Sequence, residues 1–313
     1  MSVRKKVVMI TGGGGAGNEA IFRLLADRYD LYFVDSDISN IDPTIPLSNK
    51  RQIPLATDTD FLGALKKLCF DLQVDILIPS VDEELLLIAE SADQWGATQI
   101  MLPHASYVEA MSDKLTMIRA LEVQSILTPE TESLDQDITK FTFPCIVKPR
   151  EGRGSRGVFS VSDRTEVEAF CEKIGNDANR QVLQRQYFGA EYTVQMIANS
   201  KGELLCVVPV KISVKKGVTI RAEVDDNILV VNACTLIHQK VPCAGTYNIQ
   251  LILTTDGEVY PFEINPRIST TFCLVLAAGV DPIDLFLNGK LEQSPYPFNN
   301  GAALSRHWHN HFL

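Results

Sequence analysis

The chain has 313 residues, of which 45% are hydrophobic and 22% are charged, and this composition is typical of a globular protein with two or three lobes. The formal net charge of -10 disfavours nucleic acid as a partner, since no basic stripe stands out in the sequence. No apolar run is long enough to span a bilayer, so we expect no membrane partner.

Strand and helix patterns alternate over residues 1–110, which predicts a parallel α/β sheet. The expected strands are Val7–Thr11, Leu31–Val34, Ile76–Pro79 and Ile100–Leu102. The expected helices lie near Glu19–Arg28, Asp58–Cys69 and Asp82–Glu90.

A glycine-rich turn, Gly12–Gly17, follows the first strand and fits the pattern G-x-G-x-x-G. Asp35 ends the second strand, where the ribose-binding acid of a dinucleotide fold belongs. Taken alone, these two features indicate an NAD site. The same turn is also typical of domains that bind an anion at a helix N-terminus, or that only pack a helix on a strand.

Residues 111–185 form a second piece, in which Ser112–Lys114 opens a helix with an N-cap candidate. Further on we expect strands at Phe143–Pro149, Val158–Val161 and Gln181–Gln184, and a helix at Thr165–Ile174. A second glycine cluster, Arg150–Gly157, connects the first two of these strands.

The second glycine cluster differs from the first because it joins two antiparallel strands. Its backbone amides are suited to phosphate oxygens, and Lys148 immediately before it suits a triphosphate. The alternative is a mobile surface hairpin whose arginines, Arg150, Arg153 and Arg156, are only solvated.

Residues 186–313 read as mainly antiparallel. The expected strands are Glu191–Ala198, Leu204–Lys211, Ile228–Cys234, Ile249–Thr254 and Val259–Ile264, with helices near Thr270–Ala278 and Pro282–Leu287. Three alternating histidines near the C-terminus could bind a transition metal or belong to a loose tail; they are His307, His309 and His311.

The motif Tyr260–Arg267 places three polar side chains at alternate positions of a strand, Glu263, Asn265 and Arg267. Residues at i and i+2 of a strand point to the same face, so these three groups should converge. Carboxylate and amide oxygens suit Mg²⁺, and a guanidinium suits a transferring phosphoryl group. The alternative is that they only solubilise a strand edge.

In chain order, Ser112–Lys114, Ile146–Pro149, Glu151–Gly157, Gln184–Glu191, Asn248–Gln250 and Glu263–Arg267 together resemble the motifs of the ATP-grasp superfamily. The pattern is most similar to the carbamoyl-phosphate-synthase-like branch of carboxylate–amine ligases. The resemblance implies an α/β fold with α+β lobes: a Rossmann-like pre-ATP-grasp domain at residues 1–110, a lid subdomain at 111–185, and an antiparallel-sheet subdomain with the metal and phosphate site at 186–313.

The resemblance also implies roles for individual residues. Those expected to bind ATP are Lys114, Lys148, Glu151, Gly152, Gly154, Ser155, Gly157, Gln184, Tyr187 and Glu191. The expected ligands of Mg²⁺ or Mn²⁺ are Gln250, Glu263 and Asn265, of which Gln250 stands where several other branches carry an acid. The residues expected to act on the transferred phosphoryl group or to line the cleft are Arg267, Lys211 and Arg221.

Such an enzyme would phosphorylate a small carboxylate with ATP and let an amine attack the acyl phosphate. Two alternatives stay open: a nicotinamide-dependent oxidoreductase that uses Gly12–Gly17 and Asp35, and a non-catalytic ATP-binding regulator. Seven scattered cysteines in apolar runs are typical of a reducing cytosol, so we expect a cytoplasmic protein. A homodimer is an expectation from the family.

Overall fold

The computed structural model describes residues 4–152, 154 and 156–308. The predicted Ser155 and the histidines His309 and His311 lie outside the described residues. In the described part of the chain the strands form three sheets, of five, six and four strands. No helix in that part combines the length and hydrophobicity that crossing a bilayer requires.

The N-terminal sheet is parallel, with strand order β3-β2-β1-β4-β5. Its strands are β1 (Lys6–Thr11), β2 (Tyr29–Asp35), β3 (Lys50–Gln52), β4 (Ile76–Ile78) and β5 (Gln99–Ile100). The helices of this region are α1 (Asn18–Leu25), α2 (Phe61–Asp71), α3 (Asp82–Glu90) and α4 (Ala105–Ser112). Alternate residues of β1 enter two different hydrophobic clusters, so both faces of the sheet are covered.

The four-stranded sheet is antiparallel, with strand order β6-β9-β7-β8. The elements of this region are α5 (Lys114–Val123), β6 (Thr131–Ser133), β7 (Cys145–Pro149), β8 (Phe159–Val161), α6 (Arg164–Ile174) and β9 (Gln181–Arg185). Asp113 caps α5 as predicted, because its side chain accepts a hydrogen bond from the Thr116 N–H. This cap fixes Lys114 at the first position of the helix.

The six-stranded sheet is antiparallel, with strand order β14-β13-β10-β11-β12-β15. The elements of this region are β10 (Gly189–Ala198), β11 (Leu204–Lys216), β12 (Val218–Val224), α7 (Ile228–Lys240), β13 (Gly245–Thr254), β14 (Val259–Asn265), α8 (Phe272–Ala277), α9 (Pro282–Asn288) and β15 (Ala303–Ser305). The parallel N-terminal sheet and the antiparallel C-terminal sheet confirm the predicted fold class.

The predicted strand Ile228–Cys234 is wrong, because these residues begin helix α7. Their β-branched run favours a strand, but the buried side chains Val230, Cys234 and Ile237 have helical spacing. Asn227 caps the helix by accepting hydrogen bonds from two backbone N–H groups. The sequence reading also missed β12, which returns from β11 through a turn at Gly217, where φ is +70°.

Two glycines provide a matched test of the packing. We expect Gly63→Ala to raise the free energy of unfolding by about 0.5–1 kcal/mol, since Gly63 lies in α2 with open space around its Cα. Gly189→Ala should lower it by at least about 1–3 kcal/mol, since the new Cβ would stand 2.1 Å from the Leu253 carbonyl oxygen. Urea unfolding would measure the free energy of unfolding of both variants. Equal changes in the two variants would contradict the packing of β10 on β13.

Candidate functional site

A cavity of about 1040 Å³ is lined by residues from all three sheets. Eleven of the predicted site residues line it: Lys114, Lys148, Glu151, Gly152, Gly154, Gln184, Tyr187, Glu191, Gln250, Glu263 and Arg267. The chain brings them together because the carboxyl end of β7, the loop after it and the middle parts of β13 and β14 meet at this cavity. Such a cleft between lobes is a common place for a ligand.

Four other predicted residues do not line the cavity: Gly157, Lys211, Arg221 and Asn265. Lys211 points to Glu223, with 4.0 Å between the charged atoms, and Arg221 is exposed on β12. Asn265 stays close to the site, since its amide nitrogen donates to the Asn248 side-chain oxygen over 3.2 Å, and Asn248 does line the cavity.

Lys148 lies buried at the end of β7, with only 5% of its surface exposed. Its ammonium donates to the Gln184 side-chain oxygen over 2.8 Å and to the Phe262 carbonyl over 3.2 Å. Burial lowers the pKa of Lys148 to about 7, although the Glu263 carboxylate acts in the opposite direction. An anion bound nearby would therefore strongly favour the protonated, charged form of Lys148.

Lys114 joins the first turn of α5 to the loop that follows β7. Its ammonium lies 3.2 Å from the Gly152 carbonyl oxygen and 3.5 Å from the Glu263 carboxylate. The same loop is tied to the helix by an ion pair between Arg150 and Asp113, at 2.8 Å. This arginine is therefore held in place and is not only solvated, which favours an organised loop beside the cavity.

The candidate metal ligands lie on two neighbouring strands. Gln250 on β13 pairs with Glu263 on β14, and Asn248 pairs with Asn265 two residues along. Because alternate residues share a face, one carboxylate and amide oxygens meet at one patch, and this donor set suits Mg²⁺. No group of three or more histidine, cysteine, aspartate or glutamate side chains suited to a metal occurs among the described residues. The ion would therefore need phosphate oxygens to complete its shell.

Lys215 lines the cavity. It lies in the segment between Lys211 and Arg221 that was expected to line the cleft, but the sequence did not single it out. Its ammonium donates to the Glu191 carboxylate over 2.6 Å and to the Gln250 side-chain oxygen over 3.1 Å. It thus connects Glu191, one of the residues expected to bind ATP, with the predicted metal ligand Gln250. The signal available in the sequence was only that Lys215 follows the predicted cleft-lining residue Lys211 on the same apolar strand.

Arg267 connects the C-terminal sheet with the N-terminal domain. Its guanidinium contacts both carboxylate oxygens of Asp82, the first residue of α3, one of them at 3.2 Å. A third guanidinium donor bonds the Ile268 carbonyl over 3.0 Å. The planar fork of an arginine matches a carboxylate in two places, so Arg267 is fixed in orientation while it lines the cavity.

The Gly12–Gly17 turn forms the N-terminal wall of the same cavity. Asp35 accepts a hydrogen bond from the Gly14 N–H over 2.9 Å, so this carboxylate supports the turn itself. Gly12 has φ of +61°, and a Cβ there would stand 2.8 Å from the side chains of Ser80 and Val81. This use of Asp35 and the close packing favour a structural role for the glycines over an NAD site.

Three further residues expected to bind ATP, Gln184, Tyr187 and Glu191, line another part of the cavity. Gln184 is buried, and its amide nitrogen donates to the Thr131 hydroxyl over 2.8 Å while its oxygen holds Lys148. The Tyr187 ring stacks on Tyr260, with 3.6 Å between the ring centroids. These contacts hold the segment that joins β9 to β10 in a defined shape.

A family model described as "ATP-grasp domain" matches residues 111–271, which is more than half of the chain. A D-alanine–D-alanine ligase of Phocaeicola vulgatus is 23% identical over 90% of this chain and 97% of its own length. The chloroplastic arginine-specific carbamoyl phosphate synthase large chain of Oryza sativa subsp. japonica is 24% identical over 86% of this chain. This chain spans only 25% of that larger protein.

Solved structures share the fold. The L-amino acid ligase of Bacillus licheniformis aligns with a TM-score of 0.68 and 18% identity over 95% of this chain and 75% of its own. The N5-carboxyaminoimidazole synthase of Aspergillus clavatus, solved with ADP, aligns with a TM-score of 0.71 and 16% identity over 95% of this chain and 79% of its own. The chain therefore belongs to the ATP-grasp family, whose members are ligases that use ATP and Mg²⁺, and the predicted family and cofactors are confirmed.

Proposed function

We propose that this chain joins a small carboxylic acid to an amine through an acyl-phosphate intermediate, with ATP as the phosphoryl donor. The observation that supports this best is the convergence of Lys148, Glu263 and Arg267 on one cavity. Two cations and one carboxylate at the same place suit the phosphate tail of a nucleotide and its metal ion.

The chemistry needs activation because the oxygen of a carboxylate is a poor leaving group. ATP supplies a phosphoryl group that converts the acid into an acyl phosphate, from which inorganic phosphate leaves readily. The amine nitrogen then attacks the carbonyl carbon, the carbon–oxygen bond to phosphate breaks, and the amine loses a proton. The cavity must align these groups and keep water out, because water hydrolyses acyl phosphates.

The proposed roles follow the positions of the residues. Lys114 and Lys148 bind phosphate oxygens, and Arg267 stabilises the charge that develops on the transferred group. The oxygens of Gln250, Glu263 and Asn265 hold Mg²⁺ together with the phosphates. Gln184, Tyr187 and Glu191 hold the adenosine, and the loop 151–157 covers the phosphates. Lys211 and Arg221 lie away from the cavity, so we give them no part in the proposed chemistry.

The substrates we propose are amino acids or compounds built like them. Two of the relatives carry amino acids in their names, D-alanine in one and L-amino acids in the other. The cavity is also large enough for a nucleotide and a second small molecule, since binding sites for small ligands commonly hold about 300–1,000 Å³.

A substrate screen tests the proposal directly. Purified protein is incubated with Mg²⁺-ATP, one amino acid or other small acid at a time, and hydroxylamine as a general amine that traps acyl phosphates as hydroxamates. We expect hydroxamate and ADP in equal amounts with at least one acid. Nucleotide binding without ADP release for any acid would instead favour the non-catalytic regulator, and failure to bind Mg²⁺-ATP would refute both.

Proton uptake tests the role of Lys148. Since its pKa is about 7 in the free protein, about nine-tenths of these side chains are neutral at pH 8. Bound phosphates favour the ammonium, so binding of Mg²⁺-ATP should take up close to one proton at pH 8 and far less at pH 6. Calorimetry in buffers with different ionisation enthalpies measures this uptake. Lys148→Arg, which stays charged, should bind without it; equal uptake by both proteins would contradict the assignment.

A further inference from the structure

The N-terminal part of the cavity contains a buried carboxylate with one free oxygen. Glu84 on α3 is 2% exposed and lines the cavity. Its Oε1 accepts hydrogen bonds from the Thr11 hydroxyl, from the Ser80 N–H over 3.0 Å and from the Val81 N–H over 3.1 Å. Across the described ranges, no hydrogen bond reaches Oε2.

The charge of Glu84 is also without a counter-ion, since no described lysine, arginine or histidine forms an ion pair with it. Burial raises the pKa of Glu84 to about 7 although three hydrogen bonds act against this, and the Glu83 carboxylate raises it further. A buried charge is unfavourable unless it is paired. A cation that enters from the cavity would supply the missing partner.

A structural role explains only half of this arrangement. Glu84 closes the N-terminus of α3 by accepting the Val81 N–H, as in a capping box. That role uses Oε1, and a glutamine could perform it without burying a charge. The carboxylate charge and the free Oε2 therefore need another explanation, and they stand at the wall of the cavity.

Besides the polar lining residues Ser36, Asn40 and Ser80, the N-terminal domain supplies an apolar part of the cavity wall. This part is formed by Ile53, Pro54, Leu55, Ala56 and Phe61. Ile53 and Phe61 pack in the same hydrophobic cluster as Leu85, which follows Glu84 on α3. The carboxylate and this apolar part thus line the same cavity from the same domain, and a ligand that touches both must combine a cation with an apolar body.

We propose that this part of the cavity binds a substrate with a primary ammonium group and an apolar body. The ammonium donates to Glu84 Oε2, and the apolar body packs against the wall formed by residues 53–56 and Phe61. The inference rests on the proposed ligase function, because it names the class of compound that the ligase takes: an apolar amino acid or amine.

Matched substrates and variants test this. In the hydroxylamine assay, L- or D-leucine is compared with 2-hydroxy-4-methylpentanoate, which replaces the amino group by a hydroxyl, and with serine, which lacks the apolar body. We expect leucine to react at least about tenfold better than the hydroxy acid, as hydrogen bonds to charged groups allow. It should also react at least about tenfold better than serine, because the leucine side chain removes more apolar surface from water. Glu84→Gln should raise the KM for leucine about 10- to 100-fold and leave the KM for Mg²⁺-ATP unchanged.

Glu90→Gln is the control, since it removes one carboxylate from the exposed end of the same helix. Thermal unfolding shows whether the Glu84 variant is folded. Equal reaction of the amino and hydroxy acids, or an unchanged KM for leucine in Glu84→Gln, would overturn the inference while the ligase function stands. If no acid releases ADP, calorimetric binding of leucine decides: binding that Glu84→Gln loses supports the site, and no binding by the wild type overturns it.

Discussion

Replacing Glu263 with glutamine is expected to lower kcat/KM for product formation by about 100- to 1000-fold, the usual effect of removing one charged stabilising group. Among the three proposed metal ligands, Glu263 is the one carboxylate, and it also lies 3.5 Å from the Lys114 ammonium. The substitution keeps the size of the side chain and removes its charge, so the metal ion loses its strongest protein ligand while the fold is preserved.

Two measurements separate loss of the metal from loss of the nucleotide. We expect Glu263→Gln to require a higher Mg²⁺ concentration for half-maximal activity, and Mn²⁺ titration with bound ATP to show weaker metal binding. Asp256→Asn, in the exposed turn before the same strand, removes one carboxylate at a distance from the cavity and should change neither quantity. Unchanged activity and metal affinity in Glu263→Gln would contradict the proposed metal site.

The sequence predicts those parts of the site that local periodicity determines. The alternation of Glu263, Asn265 and Arg267 along one strand, and the Asp113 cap that places Lys114, depend on residues a few positions apart. The apolar runs likewise predict most of the strands of the N-terminal sheet. In these cases the pattern of a few neighbouring residues is enough to predict the structure.

The sequence does not predict contacts between distant segments. Arg267 and Asp82 are 185 positions apart, and nothing near either residue indicates that they pair. The hydrogen bond from the Thr11 hydroxyl to the Glu84 carboxylate likewise joins residues that are 73 positions apart. Such pairings follow from how the N-terminal domain packs against the C-terminal sheet, so only the folded structure reveals them.

Lys211 and Lys215 show a third limit. Simple alternation on β11 would place both side chains on one face. The pairing of β11 with β12 shifts register between Ile212 and Val214, where β11 contains one extra residue. A second shift, between Val214 and Lys215, has its extra residue on β12. The bulge in β11 changes the side that its later residues face, so Lys215 lines the cavity and Lys211 does not. A bulge has no reliable signal in a single sequence, and the cleft-lining lysine was therefore assigned four residues too early.

Replacing Arg267 with lysine is expected to lower kcat/KM by about 100-fold or more, while the affinity for Mg²⁺-ATP changes little. Lysine keeps the positive charge, so Asp82 still has a cationic partner and the fold should survive. It loses the planar fork, which holds Asp82 and the Ile268 carbonyl at once and leaves the guanidinium oriented at the cavity. An interaction formed only with the transferring phosphoryl group affects kcat more than nucleotide binding.

Arg119→Lys serves as the control, because Arg119 forms its ion pairs with Glu122 and Glu132 on the surface of the protein. Such exposed ion pairs contribute at most about 1 kcal/mol to the stability of the fold, so this variant should keep full activity. Asp82→Asn separates the two roles of Arg267: if orientation matters, it should lower kcat as Arg267→Lys does, with an unchanged KM for Mg²⁺-ATP. If both variants unfold more easily but turn over at the wild-type rate, Arg267 only connects the two domains and the transferred phosphoryl group must be stabilised elsewhere.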